Sequence, residues 1–172
     1  MKLERITPIR KVKQAMRLSS MADYAVVTMS AAARHCGSAR VSAAQLAAET
    51  GLPVPTVQKL VSVLTAAGLL RSARGAGGGL QLARPAAAIT LADIVEAVEG
   101  PIALTACVEE GRQDCALEAC CSVRPHWPAV NAALRGALAN VSLVDLARTT
   151  GGAESHGRQR LAAPFVASGA NP

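Results

Sequence analysis

SAAQLAAETGLPVPTVQKLVSVLTAAGLLRSARGAGGGLQLAR, residues 42–84, carries two helical patterns followed by a glycine-rich stretch. Ser42 stands before a short periodic run over residues 43–50 and is placed to cap its first turn. Gly51, Leu52 and Pro53 end that run, and a second helix is expected over residues 55–67, stopped by Gly68. Two short helices joined by a three-residue turn containing glycine make a helix-turn-helix. Leu46, Ala47, Leu52, Val57, Leu60, Val61 and Leu64 recur at the spacing of a shared core. Thr56, Gln58, Lys59 and Ser62 then lie on or near the outer face of the second helix.

Residues 69–73 and 80–83 read as short strands, with Arg74 and the glycines up to Gly79 at the tip between them. A hairpin directly after a helix-turn-helix is a wing. Its glycines, Gly75 among them, let the tip approach a phosphate backbone closely, while Arg74 can reach into a minor groove. A nucleotide phosphate cradle is the rival reading of these glycines. It fails because no Lys-Ser or Lys-Thr follows them and they sit between strands instead of opening a helix.

Upstream, Ala22, Ala25, Val26, Met29 and Ala33 recur at helical spacing over residues 21–34, with Ser19 or Ser20 available as cap. Residues 1–15 do not share that pattern and are expected to be a flexible basic extension to a winged domain covering 16–100. Downstream, Thr90 caps a fourth helix whose Leu91, Ile94, Val95 and Val98 face inward, and Gly100 and Pro101 end it. A helix over 125–140 sets Val130, Leu134 and Leu138 on one stripe, continued by Val141, and Ser142 and Asp145 read as the cap and third residue of a last turn. An amphipathic helix beyond a complete winged domain is a natural dimer seam, so residues 125–148 are assigned to dimerisation. Residues 149–172 are rich in Gly, Ser and Pro without periodicity, and disorder is expected there.

Between the two halves, over residues 101–124, lies a different chemistry. Cys107, Cys115, Cys120 and Cys121 share a polar segment with Glu109, Glu110, Asp114 and Glu118 and have no apolar periodicity around them. Thiolates are soft ligands for zinc, copper(I) or iron-sulfur clusters, so a metal site is the first reading. Structural zinc fits less well, because the spacings are wider than the usual C-x2-4-C knuckle. A thiol-disulfide switch stays open. A small electron carrier or enzyme is disfavoured, since no catalytic constellation or nucleotide fingerprint accompanies the cysteines.

Composition narrows the partners. With 172 residues, 51% of them apolar, the chain can bury a real core in one domain. Tyr24, Trp127 and Phe165 are the only aromatics, which argues against a base-stacking platform for single strands or RNA. Net charge is +4 over residues 1–15, +5 over 16–90, −5 over 91–125 and +2 over 126–172. The basic half suits a polyanion, and the acid surrounds the cysteines. No run of 18 apolar residues spans a membrane and no apolar run follows the charged start, so a cytoplasmic protein is expected. In that reducing compartment an odd count of five cysteines points to metal or redox chemistry more than to structural disulfides.

Five stretches together, RLSSMADYAVV (17–27), GLPVPTVQKLVSVLTAAGLL (51–70), RGAGGG (74–79), ITLADIVEAVEGPIALTACV (89–108) and CALEACCSVRPHW (115–127), resemble the winged-helix regulators of the Rrf type. That family includes IscR, NsrR and regulators of the SUF iron-sulfur assembly system, and the last two stretches are most similar to the SUF regulators. The resemblance implies a mainly α winged helix-turn-helix fold with a β-hairpin wing, a cysteine cluster loop and a long C-terminal dimerisation helix. It implies a homodimeric transcription factor that binds a palindromic operator in double-stranded DNA and holds a 2Fe-2S or 4Fe-4S cluster through Cys107, Cys115 and Cys121; a cluster-sensing repressor of SUF assembly genes is the leading expectation, and a nitric-oxide sensor of the NsrR kind an alternative. Cys120 falls at a variable position, as bystander or substitute. For the fourth ligand it offers Asp23, at the place of an acidic residue some NsrR relatives use, with His126 or a small molecule from solution as alternatives. The family's DNA contacts fall on Pro55, Gln58 and Lys59 and on Arg74 of the wing, with Thr56 and Gly75 beside them. Pro55 stands where IscR has a serine and Gln58 where it has a glutamate, so base preference should differ. Glutamine pairs both edges of adenine, and lysine contacts guanine or phosphate.

Overall fold

The computed structural model describes residues 17–35, 40–73, 78–108 and 121–148. Small side chains decide its centre. Helix α1, Ser20–Arg34, buries Ala22, Ala25, Thr28, Met29, Ala31 and Ala32, so neighbouring helices approach it from several sides. Ser19 is its N-cap and accepts the backbone N–H of Ala22.

Helices α2, Ala43–Thr50, and α3, Val54–Ala66, form the helix-turn-helix. Ser42 and Gln45 make a reciprocal capping box at the start of α2, and Gly51, at φ +70°, ends it in the left-handed region where a glycine costs least. Pro53 is the N-cap of α3 and Pro55 lies in its first turn, where a missing N–H leaves no helical bond unmade, so α3 begins one residue before the expected 55. At its end Gly68, at φ +71°, turns the chain while the Leu69 N–H closes on the Leu64 carbonyl at 2.9 Å. Val57, Leu60 and Leu64 are fully buried against α1 and α2, whereas Leu52 and Val61, expected inside, pack at the margin of the core.

Strands β1, Leu70–Ala73, and β2, Gly79–Leu82, pair antiparallel in the register Leu70 with Leu82 and Ser72 with Leu80. Leu70, Leu80 and Leu82 turn inward. The hairpin is pinned from its far side by an isolated bridge to Val41, with Leu80 N–H to Val41 O at 2.7 Å and Val41 N–H to Leu80 O at 3.3 Å. Gly79 permits this approach, since a Cβ there would sit 2.8 Å from the Cβ of Arg40.

A tight turn at Ala86–Ala88 leads to helix α4, Leu91–Glu99, capped by a Thr90–Asp93 box. Its buried face is Ala92, Ile94 and Val95; Leu91 and Val98, expected inside, are half-buried. Another tight turn, Arg124–His126, precedes helix α5, Trp127–Ala139, which starts later than the expected 125. No residue of α5 is buried in this chain. Helix α6, Leu143–Ala147, then returns to the winged domain: Leu143 donates to the Ile89 carbonyl at 2.8 Å, Leu91 donates to Val141 at 2.9 Å, and Leu143 is fully buried. Full burial of such a side chain contributes about 1.5–3 kcal/mol, which holds α6 in place. Residues 125–148, expected to act as one unit, thus divide into α5, which stands on the surface, and α6, which belongs to the core. The expected basic extension and C-terminal tail lie outside the described residues.

Candidate nucleic-acid interface and cysteine segment

The burial of Val57, Leu60 and Leu64 fixes what α3 presents to solvent. Pro55, Gln58, Lys59 and Ser62 are exposed and Thr56 is half-buried. The helix therefore offers one proline, one amide, one ammonium and a hydroxyl, with no acidic side chain in the helix itself. Arg74 and Gly75, expected at the wing tip, lie outside the described residues. Below that tip, Arg40, Arg71, Ser72 and Gln81 line a cleft of about 200 Å³. The two arginines were not among the residues expected at the site. The signal for them was a surplus of arginine around the wing, visible in RSARG; their convergence depends on the Val41 bridge, which no local pattern announces.

The second region begins where α4 ends. Gly100, at φ +87°, turns the chain into an arm, residues 101–108, which is half-buried from Ile102 onward and meets α5. Two side chains tie the arm down. Asn131 of α5 donates from Nδ2 to the Ile102 carbonyl at 2.8 Å and accepts the Leu104 N–H on Oδ1 at 3.0 Å. Glu96 of α4 takes a two-pronged bond from Arg135 of α5, both contacts at 2.8 Å, and also accepts the Ile102 N–H. The Arg135 guanidinium is the main cause that holds the Glu96 carboxyl below its ordinary pKa, against a smaller opposing effect of burial. Glu96 in turn pushes the Arg135 guanidinium up. The Ser19 hydroxyl donates to Glu99, joining the start of α1 to the last turn of α4. Beneath the arm, Leu18, Val95, Ile102, Leu104, Leu134 and Leu138 line a cavity of about 560 Å³.

The arm delivers Cys107. Its Sγ lies 3.2 Å from the Thr105 hydroxyl oxygen, and Val108 N–H closes a turn on Thr105 O at 3.0 Å. Cys121 reappears just before the tight turn into α5, its carbonyl accepting Arg124 N–H at 3.4 Å. Both thiols are free and half-exposed. Cys115 and Cys120 lie outside the described residues. Asp23 is exposed in the first turn of α1, and His126 is exposed in the turn before α5. Among the described residues no three His, Cys, Asp or Glu side chains come together, so Asp23 does not join Cys107 and Cys121 within one chain. The donor set nonetheless fits a soft metal centre: two accessible thiols bracket a segment that holds two more.

Sequence reading passed over Asn131 and Arg135. The half-buried face of α5 is Trp127, Asn131, Leu134 and Leu138, while Val130, expected on that stripe, is 47% exposed. One polar side chain at an apolar period was the available sign.

Among the described residues no helix is long and apolar enough to cross a membrane. Residues 18–149 match the family model Rrf2, described as iron-dependent transcriptional regulator. The transcriptional regulator IscR of Photobacterium profundum is 33% identical over 144 residues, covering 84% of this chain and 83% of its own. Among solved structures, CymR, the global cysteine regulator of B. subtilis, matches at TM-score 0.60 and 31% identity over 77% of this chain and 97% of that one. T. potens IscR matches at TM-score 0.57 and 29% identity, over 77% of this chain and 86% of that one. The winged helix-turn-helix expected from residues 42–84 is the fold of these regulators, and the chain belongs to the Rrf2 family of transcriptional regulators.

Proposed function

We propose that this chain is a homodimeric, iron-sulfur-cluster-sensing repressor of iron-sulfur assembly genes of the SUF kind, acting on a palindromic operator in double-stranded DNA. The observation that carries this reading is the placement of Cys107 and Cys121 as free, accessible thiols at the two ends of a segment acidic in sequence, Cys107 on an arm tied to α5, on the scaffold of a regulator family. Cys107, Cys115 and Cys121 would hold the cluster, with Asp23, from the partner copy, as the fourth ligand and His126 or an external molecule as substitutes. When bound, such a cluster supplies iron-thiolate bonds that oxidant, nitric oxide or iron loss can break.

The chain's own residues do the rest. Pro55, Thr56, Gln58 and Lys59 present α3 to the major groove, Gln58 pairing adenine and Lys59 taking guanine or phosphate. Arg74 and Gly75 bring the wing to the minor groove, and Arg40 and Arg71 at its base add phosphate contacts. Helix α5, with no residue buried in its own chain, is the seam against a second copy.

The likeness to CymR favours one other reading, in which the same thiols act without a cluster. Anaerobic purification with iron and sulfide analysis and visible absorbance separates the two. The wild-type protein should carry iron and sulfide in equal amounts, and Cys115→Ser should lose both while staying folded and dimeric. A colourless, iron-free wild type that binds its operator unchanged would leave the thiol reading standing.

A further inference from the structure

Asn131 spends both halves of its side-chain amide on the backbone of the arm, at Ile102 and Leu104, three residues short of Cys107. The amide sits where an apolar residue would otherwise continue the face of α5 formed by Trp127, Leu134 and Leu138. A leucine there could make no hydrogen bond, whereas the asparagine holds the arm at Ile102 and Leu104, two of the residues that line the cavity of about 560 Å³. One turn further along, the Arg135 pair with Glu96 fastens α5 to α4. Besides its continuation into the docked α6, helix α5 thus has two side-chain attachments of different kinds: one to α4 through Arg135, and one through Asn131 to the arm that ends at Cys107.

Taking up the cluster reading above, we infer that Asn131 is a positioning residue for the sensor: it transmits the state of the cysteine segment to α5 and so to the pairing of two copies. When Cys107 is held, residues 102–104 are fixed and the paired amide holds α5 at that point. When Cys107 is released, the arm frays, the two bonds open together, and α5 is left on its contacts with α4, the Arg135 pair among them, and on the docked α6 at its C-terminal end. A bond pair of this kind shifts a local opening equilibrium by about tenfold.

The test is amide hydrogen exchange read by mass spectrometry on full-length protein, anaerobically, with and without ferrous iron plus sulfide, for wild type, Asn131→Ala and Asn131→Asp. In the wild type, iron and sulfide should slow exchange both in residues 102–108 and in α5. Asn131→Ala should take up the same iron and slow exchange in 102–108, while the response of α5 falls by about tenfold. Asn131→Asp keeps the acceptor for the Leu104 N–H and should restore part of that response. Equal iron uptake with an α5 response as large as in the wild type overturns the inference. If no protein takes up iron and sulfide, the cluster reading falls separately. The inference is then decided in metal-free protein by the Leu104 amide: exchange about tenfold faster in Asn131→Ala supports the tie, and an unchanged rate refutes it.

Discussion

Thr28 lies in the middle of α1 with its side chain fully buried, and its hydroxyl has no hydrogen-bond partner. A buried polar group left unpaired costs about 1–3 kcal/mol, and valine has nearly the same shape without the hydroxyl. Thr28→Val should therefore raise the free energy of unfolding by about 1 kcal/mol, seen as a higher urea midpoint with an unchanged slope. A lower midpoint would mean that the hydroxyl bonds a carbonyl one turn back. This position was not legible in advance. Local signals such as the caps Ser42 and Thr90 were readable because their partners lie three residues away, but Thr28 is inside only because α1 is packed on several sides, which no single apolar stripe reveals. The same reason explains why Leu91 and Val98 of α4, expected inward, sit half-buried while Ala92 is fully covered.

The wing and the α4–α5 pair make the corresponding case for whole elements. Two strands and a glycine tip were evident from residues 69–83, yet the bridge from Val41 that braces them spans 39 residues and has no local sign. Gly79→Ala puts a methyl group 2.8 Å from the Arg40 Cβ and 3.1 Å from the Val41 carbonyl oxygen, at φ +149°. That variant should lose about 1–3 kcal/mol of stability in urea unfolding and should weaken duplex binding through the wing. A stability equal to wild type would show that the Val41 bridge is dispensable. For the α4–α5 pair, the lowered pKa of Glu96 sets the sign of a pH effect. A carboxyl whose folded-state pKa is depressed contributes stability above its ordinary value, and that contribution is lost as the pH falls through the lowered value. Glu96→Gln should therefore be less stable than wild type at neutral pH, with the difference vanishing in acid below the folded-state pKa. A pH-independent difference in urea unfolding would assign the effect to packing instead.

At the scale of the molecule, most of the fold was legible because winged-helix punctuation is local, and the division of residues 125–148 was not. The Ser142–Asp145 box and the capped turn were readable, but the docking of Leu143 against Ile89 is a contact across more than fifty residues. Its consequence is that α5 is fixed at its C-terminal end by α6 and along its length by Arg135, and still presents Val130 at 47% exposure, with Val123 at 51% in the approach to it. In the proposed dimer, with α5 as its seam on a two-fold axis, each copy meets its own equivalent, so a single substitution places two like charges in one seam. Val130→Glu should weaken self-association by roughly 10- to 100-fold in sedimentation equilibrium, since like charges brought together at an interface cost several kcal/mol. The monomer should keep its wild-type unfolding midpoint at matched subunit concentration below the wild-type dimer's dissociation constant, because nothing in α5 is buried in its own chain. Binding to an operator with two half-sites about 34–36 Å apart should fall with the dimer, while binding to a single half-site stays within about twofold. Loss on both duplexes alike would place Val130 in the winged domain's own stability, and a dimer that survives the glutamate would move the seam to another face of the molecule.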